Sequence, residues 1–197
     1  MSKIVPQPSR PTRLQRLARS VASRIGWRVE ANLPAPEKCV IIGAHHTSGT
    51  DFLAMLLLVT TLGIKFHWVA KDTLFWGPMG WVARSLGGIP VNRRQRTDFV
   101  ARMAAMFQER QVLRLGIVPE GTRAKAPYWK TGFYYIALAA NVPIVMGFAD
   151  YGRKTVGLGP ALIPTGDIQA DMQVIREFYS NVTGRYPHQQ NEIRIRE

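Results

Sequence analysis

At 197 residues, with 46% hydrophobic and 20% charged content, the chain is long enough for one domain with a sizeable core and too short for two comfortable ones. Lysine and arginine total 26 against 13 acidic residues, and the net charge of +13 favours nucleic acid, phospholipid headgroups or phosphate-bearing substrates as partners. A single cysteine, Cys39, excludes an intrachain disulfide and a multi-cysteine metal site, and the longest apolar run, Phe52 to Val59, falls far short of the roughly 18 to 20 residues that span a bilayer.

Met1 to Pro11 carries Pro6, Pro8 and Pro11 among polar residues and reads as disordered. Arginines interrupt the first thirty residues too often for a secretory signal, so a cytoplasmic location is expected. Thr12 is a candidate N-cap for a helix predicted to run to about Val29. On its wheel Leu14, Leu17, Ala18, Val21, Ala22 and Ile25 form one stripe, with Arg13, Arg16, Arg19 and Arg24 on the other side. Such a helix suits an anionic membrane surface, or packs on the domain with a solvated basic face. The Pro34 and Pro36 pair then separates an N-terminal basic arm, residues 1–36, from the main domain, residues 37–197.

From Lys38 onward strand and helix patterns alternate. Strands are predicted at Cys39 to Gly43, Lys65 to Ala70, Ile89 to Val91, Leu113 to Val118 and Pro143 to Ala149, with an edge strand at Lys154 to Leu158. Helices are predicted at Asp51 to Leu62, Pro78 to Leu86, Asp98 to Arg110, Gly132 to Ala140 and Asp167 to Asn181. The alternation specifies an α/β fold, a single domain with a mainly parallel central sheet flanked by helices.

Four segments carry chemistry or accompany it. In Ala44-His45-His46-Thr47-Ser48-Gly49-Thr50-Asp51, a polar loop lies between an apolar strand and an apolar helix, where α/β proteins place their sites. His46 can take a proton from an attacking hydroxyl while Asp51 fixes its tautomer; Asp51 equally suits a helix N-terminus. Adjacent histidines rarely share one ion and no third ligand is near, so no metal is expected. The turn Val118-Pro119-Glu120-Gly121-Thr122-Arg123 can offer amides, a hydroxyl and a guanidinium to a phosphate, or simply pair Glu120 with Arg123 on the surface. In Gly87-Gly88-Ile89-Pro90-Val91-Asn92-Arg93-Arg94, a short strand ends in arginines that can reach the same anion or form a solvated cluster, and Val142-Pro143-Ile144-Val145-Met146 is a buried strand opened by proline.

In order and spacing these four resemble the glycerolipid acyltransferases of the lysophosphatidic acid acyltransferase type. The HxxxxD block matches at His46 to Asp51, the Gly-x-Ile-x-x-x-Arg block at Gly87 to Arg93, the Pro-Glu-Gly-Thr-Arg block at Pro119 to Arg123, and the hydrophobic proline block around Pro143. The resemblance covers roughly Cys39 to Ala149 and implies an enzyme that moves a fatty acyl group from a thioester to a lysophospholipid hydroxyl, 1-acylglycerol-3-phosphate first among acceptors. It implies His46 as general base, Asp51 as its orienting partner, and Arg93, Glu120, Gly121, Thr122 and Arg123 as the acceptor phosphate site. The donor would be acyl-CoA or an acyl carrier protein thioester, with no bound cofactor and no covalent enzyme intermediate.

Two departures bear on the acceptor: His45 stands where many relatives have asparagine, and Pro90-Val91-Asn92 forms the core of the arginine block. The basic arm implies peripheral binding to the anionic cytoplasmic membrane face, and no nucleic-acid partner is expected. A non-enzymatic nucleic-acid or anionic-membrane binding protein would explain the charge but not the ordered blocks; an acyl thioesterase would use the same loop with water. Leu74-Phe75-Trp76-Gly77-Pro78-Met79-Gly80-Trp81 is an aromatic, glycine-rich connection that lines the acyl groove, dips into the membrane interface, or packs in the core.

Overall fold

Short runs rich in valine, isoleucine and leucine recur between helical segments, a pattern that buries strands on both faces. The computed structural model describes residues 11–31, 35–91 and 98–196. It bears out the α/β fold with a mainly parallel sheet. Seven strands lie in the order β1-β7-β6-β2-β5-β3-β4: β1 is Arg28–Ala31, β2 Lys38–Gly43, β3 His67–Lys71, β4 Gly88–Val91, β5 Leu113–Ile117, β6 Ile144–Asp150 and β7 Thr155–Leu162. The block from β6 to β4 is parallel throughout; β7 runs antiparallel to β6, and β1 runs parallel to β7. Helices α2 (Thr50–Leu62), α3 (Gly77–Ser85), α4 (Phe99–Glu109) and α5 (Gly132–Ala140) connect the strands from β2 to β6, while α1 (Arg13–Arg24) precedes β1 and α6 (Ile168–Tyr179) follows β7.

Strand alternation divides the core into two layers. Val40, Ile42, Leu113, Leu115, Ile144 and Met146 meet Met103, Phe107, Phe133, Ile136, Met172 and Ile175 from α4, α5 and α6. On the opposite face Cys39, Ile41, Val145, Val156 and Leu158 meet Ala54 and Leu58 of α2. Cys39 is buried there and burial pushes its thiol up to about 12, so it serves as core and not as a nucleophile.

Two expectations change. The first helix stops at Arg24 rather than near Val29, because Gly26 takes φ +74° and closes the end: its N–H donates to Ser23 O at 3.0 Å, and Trp27 N–H to Ala22 O at 2.8 Å. A left-handed glycine with this bond pair is a strong helix stop, and the next residues leave as β1. Since β1 then lies along β7, the strand expected at the sheet edge is interior and runs on to Leu162. The N-cap expectation holds, with Thr12 and Gln15 satisfying each other's backbone N–H groups. Residues 1–10, Pro34, Asn92, Arg93, Arg94 and Arg96 lie outside the described residues, so the predicted disorder and the arginine block's anion role are read from sequence alone.

Adjacent parallel strands β6, β2 and β5 all point their carboxyl ends to one side of the sheet. The loops after β2 and β5 and the turn after β6 therefore converge there. From beneath, Tyr179 at the end of α6 donates its hydroxyl toward Ile42 O and Gly147 O, each at 2.9 Å, tying β2 to β6 just below the β2 loop.

Candidate active site

The loop leaving β2 turns at Gly49 into α2, which places Asp51 in the first helical turn. Its Oδ2 lies 3.0 Å from His46 Nδ1 and accepts the backbone N–H groups of Thr47 at 3.0 Å and Ser48 at 2.9 Å. Its Oδ1 accepts the Tyr151 hydroxyl at 2.8 Å. Burial raises the Asp51 carboxyl, but the bonds from His46, Ser48 and Tyr151 outweigh it and hold the group below the usual carboxylate range. An ionised Asp51 can only accept, so Nδ1 is the donor in this contact and, in the neutral ring, the lone pair lies on Nε2. The two roles weighed for Asp51 thus coexist, since one carboxylate caps loop amides and orients the histidine.

In the turn after β5, Glu120 and Arg123 part company. Glu120 is 1% exposed; it accepts His46 N–H on Oε1 at 3.0 Å and Asn191 Nδ2–H on Oε2 at 2.8 Å. Burial outweighs those bonds and raises its carboxyl. Asn191 is itself held by the backbone N–H of Ala126. Thr122 and Arg123 point outward, and Arg123 Nη1 lies 3.3 Å from where a Cβ on Gly49 would stand, so that glycine makes room for the guanidinium. Gly121 takes φ +65°, and a Cβ there would meet Lys130 Nζ at 2.8 Å. The structure thus brings His46, Asp51, Glu120, Gly121, Thr122 and Arg123 into one region, while Arg93 lies outside the described residues.

His45 points away from this cluster. Its ring stacks edge-on to Tyr179 with centroids 6.3 Å apart, burial lowers its pKa, and Nδ1 is buried with no hydrogen-bond partner among the described residues. With His46 committed to Asp51, the two neighbouring rings do not converge on a common point.

Residues far along the chain complete the rim, and motif reading missed them. Tyr151 reaches Asp51; Arg185 Nη1 donates to Thr50 Oγ1 at 3.1 Å; Tyr186 N–H donates to Thr47 Oγ1 at 3.1 Å; Asn191 holds Glu120. They come from the stretch after β6, which carries no recognisable block, and nothing local in the sequence marks them.

Beneath the pair lies an apolar cleft with about 880 Å³ of empty space, counting its open mouth. Phe52, Met55, Val59, Phe66, Trp68 and Phe148 line it, and His46 and Asp51 stand at its polar end. Phe66 enters because Gly116 of β5 has no side chain: a Cβ there would lie 2.1 Å from the ring. The aromatic connection divides differently from any single expectation. Phe75, in a 3-10 turn at Asp72–Phe75, is core, whereas Trp76 at 80%, Met79 at 61% and Trp81 at 74% exposure face solvent and do not line the cleft.

Known proteins resemble this chain in sequence and in fold. The chain is 36% identical over 130 residues to human 1-acyl-sn-glycerol-3-phosphate acyltransferase beta, covering 62% of this chain and 45% of that protein. It is 28% identical over 136 residues to the 1-acyl-sn-glycerol-3-phosphate acyltransferase of Escherichia coli, covering 64% and 54% of the two chains. The chain therefore spans about half the length of these relatives. In three dimensions it resembles the crystal structure of the 1-acyl-sn-glycerophosphate (LPA) acyltransferase PlsC from Thermotoga maritima, with a TM-score of 0.60, 16% identity, and coverage of 88% of this chain and 79% of that one, a likeness of fold. Residues 24–146, which hold the His46–Asp51 loop, the Glu120 turn and the strands between them, match the acyltransferase family, and the chain belongs to that family.

Proposed function

We propose that this protein transfers a fatty acyl group from a thioester to the free hydroxyl of a lysophospholipid, with 1-acylglycerol-3-phosphate as the acceptor. The observation that carries this reading is a histidine ring, fixed by Asp51 through Nδ1, at the polar end of an apolar cleft. His46 Nε2 takes the acceptor hydroxyl's proton as its oxygen attacks the thioester carbonyl. The tetrahedral adduct collapses by breaking the carbon–sulfur bond, and the departing thiolate takes the proton back from His46. Every proton is thereby returned, so no bound cofactor and no acyl-enzyme are needed. The cleft takes the acyl chain, because a flexible hydrocarbon is favourably transferred from water onto phenylalanine, methionine and valine surfaces.

The acceptor's phosphate falls to the basic rim. Arg123 beside Gly49 and Arg185 on Thr50 flank the same turn, and Arg93 joins them by the family resemblance. Glu120 belongs to the site in another capacity: an acid buried between His46 N–H and Asn191 holds the loop rather than a phosphate. The donor is acyl-CoA or an acyl carrier protein thioester.

The acceptor resides in a bilayer, and the protein's exposed apolar surface suits a peripheral seat on the anionic cytoplasmic face. Among the described residues no helix is long and apolar enough to cross a membrane. On α1, Ala18 and Ala22 are buried, while Leu14, Leu17 and Val21, with Ile25 just past its end, remain exposed alongside arginines. Trp76, Met79 and Trp81 add a second exposed apolar group, well suited to a headgroup region.

The deciding measurement is thiol release from an acyl thioester on anionic liposomes, with and without lysophosphatidic acid, for wild type and His46→Ala. Acceptor-dependent release in the wild type and its loss in the folded variant are expected. Release that ignores the acceptor would instead mean hydrolysis, and none with any lysolipid would end the enzymatic reading.

A further inference from the structure

Asp51 spends one carboxylate oxygen on His46 and the other on Tyr151, and the second partner lies outside the residues matched to the family. Tyr151 sits in the turn between β6 and β7, where its position is fixed from several sides. The hydroxyl lies 2.8 Å from both Asp51 Oδ1 and Thr50 Oγ1, and the backbone N–H donates to Thr183 O at 2.8 Å. The ring meets Trp27 edge-on, with centroids 5.0 Å apart at 88°, and the Arg185 guanidinium stands 5.9 Å from its centroid. Burial pushes the phenol up to about 12, so it stays protonated near neutral pH and acts there as a donor.

A carboxylate whose donors all meet Oδ2 can tilt about its Cβ–Cγ bond around that one anchored oxygen and lengthen the contact with Nδ1, whereas a donor on Oδ1 fixes the plane of the group. We propose that Tyr151 is a positioning residue for the acyl transfer, anchoring Asp51 Oδ1 so that Oδ2 stays on His46. This inference rests on the acyltransferase reading. It also gives the N-terminal segment a route to the base: Trp27 closes the end of α1 through its bond to Ala22 and supports the Tyr151 ring, so the seating of α1 reaches Asp51 through two aromatic side chains.

Tyr151→Phe keeps the ring and removes only the hydroxyl. In the thiol-release assay with lysophosphatidic acid, kcat is expected to fall about tenfold, with KM for donor and acceptor within about twofold of wild type. The acid limb of the pH profile of kcat/KM should move to higher pH, because a carboxylate that has lost a donor holds the protonated base more tightly. Trp27→Leu, which frees the ring but keeps the hydroxyl, should show part of the kcat loss. Full kcat with an unmoved limb in a folded Tyr151→Phe protein would overturn the inference. So would a loss that follows melting temperature and leaves the limb in place, the mark of a purely structural residue. Wild type run in parallel separates the two levels: its failure to release thiol brings down the parent reading, while normal wild-type turnover beside a silent Tyr151→Phe brings down this one alone.

Discussion

The loops after β2 and β5 stand side by side and each brings a carboxylate to His46, yet the two acids are held in opposite electrostatic states. Asp51 meets the ring and is surrounded by donors: Thr47 and Ser48 N–H, His46 Nδ1 and the Tyr151 hydroxyl. Glu120 meets the backbone of the same residue, has Asn191 as its other donor, and is buried deeply enough for its carboxyl to be raised. Two carboxylates at one histidine therefore need not share a role. Many donors around a partly exposed acid keep it charged and acceptor-only, as a partner for an imidazolium must be. Few donors around a fully enclosed acid make it a brace between segments, useful for holding the loop and poor at meeting an anion.

The contrast breaks most visibly at Asp51. Asp51→Asn should lower kcat by about a hundred- to ten-thousandfold, since the amide can present its NH2 to Nδ1 and so favour the wrong tautomer. Single-turnover kinetics beside an unchanged circular dichroism spectrum would check this, and near-normal turnover would deny Asp51 its orienting role. Next in size is Arg123→Ala, which removes an outward cation from the Glu120 turn; loss of a charge-assisted phosphate contact should raise acceptor KM by roughly ten- to a hundredfold at similar kcat. A monoacylglycerol acceptor, lacking the phosphate, should be indifferent to that change, and equal losses on both acceptors would remove Arg123 from the phosphate site.

Glu120→Gln sharpens the comparison from the stability side. Its carbonyl can still accept His46 N–H, but its NH2 then faces the Asn191 NH2. A buried donor left unsatisfied costs about 1 to 3 kcal/mol. Thermal melting should show that loss, with kcat affected less than in Asp51→Asn; the reverse order would make Glu120 the chemical acid of the two. The smallest effect is a pH trend with opposite signs at the two acids. Asp51, lowered in the folded state, contributes stability that is present above the ordinary carboxylate range and is lost as pH falls through its lowered value. Glu120, raised in the folded state, costs stability as pH rises from the ordinary value through its raised one. Denaturant melts of wild type and Glu120→Gln across this range should differ in slope on the alkaline side of the ordinary carboxylate value, and parallel curves would deny Glu120 its raised pKa.

Legibility in the sequence followed the range of the interaction. His46 and Asp51 were readable because five residues, a strand end and a helix start suffice to bring them together. The strand at Leu113 to Val118 was readable because Leu113, Leu115, Ile117 and Val118 make a short apolar segment interrupted by a charge only at Arg114, and Gly132 to Ala140 because its helix is flanked by turn residues. The overlong first helix reflects a periodic pattern carried past Gly26, a stop signal that was present in the residues and outweighed by the arginine and leucine spacing. Phe75 and Trp76 show the limit of composition: neighbours of similar hydrophobicity, one in the core and one 80% exposed, separated only by the direction in which a 3-10 turn sends them.

Residue order by itself determined the fold class, the meeting of His46 with Asp51 and the basic, apolar character of the N-terminal helix, because each depends on patterns within a few turns of chain. Only the tertiary structure decided which way Glu120 faces, what holds the second oxygen of Asp51, and that residues from the chain's last fifty close the rim. Those contacts join positions about 70 to 140 residues apart, as from Asn191 to Glu120 and from Tyr186 to Thr47. Their energies come from burial and hydrogen-bond geometry that exist only after the sheet has brought three strand ends together.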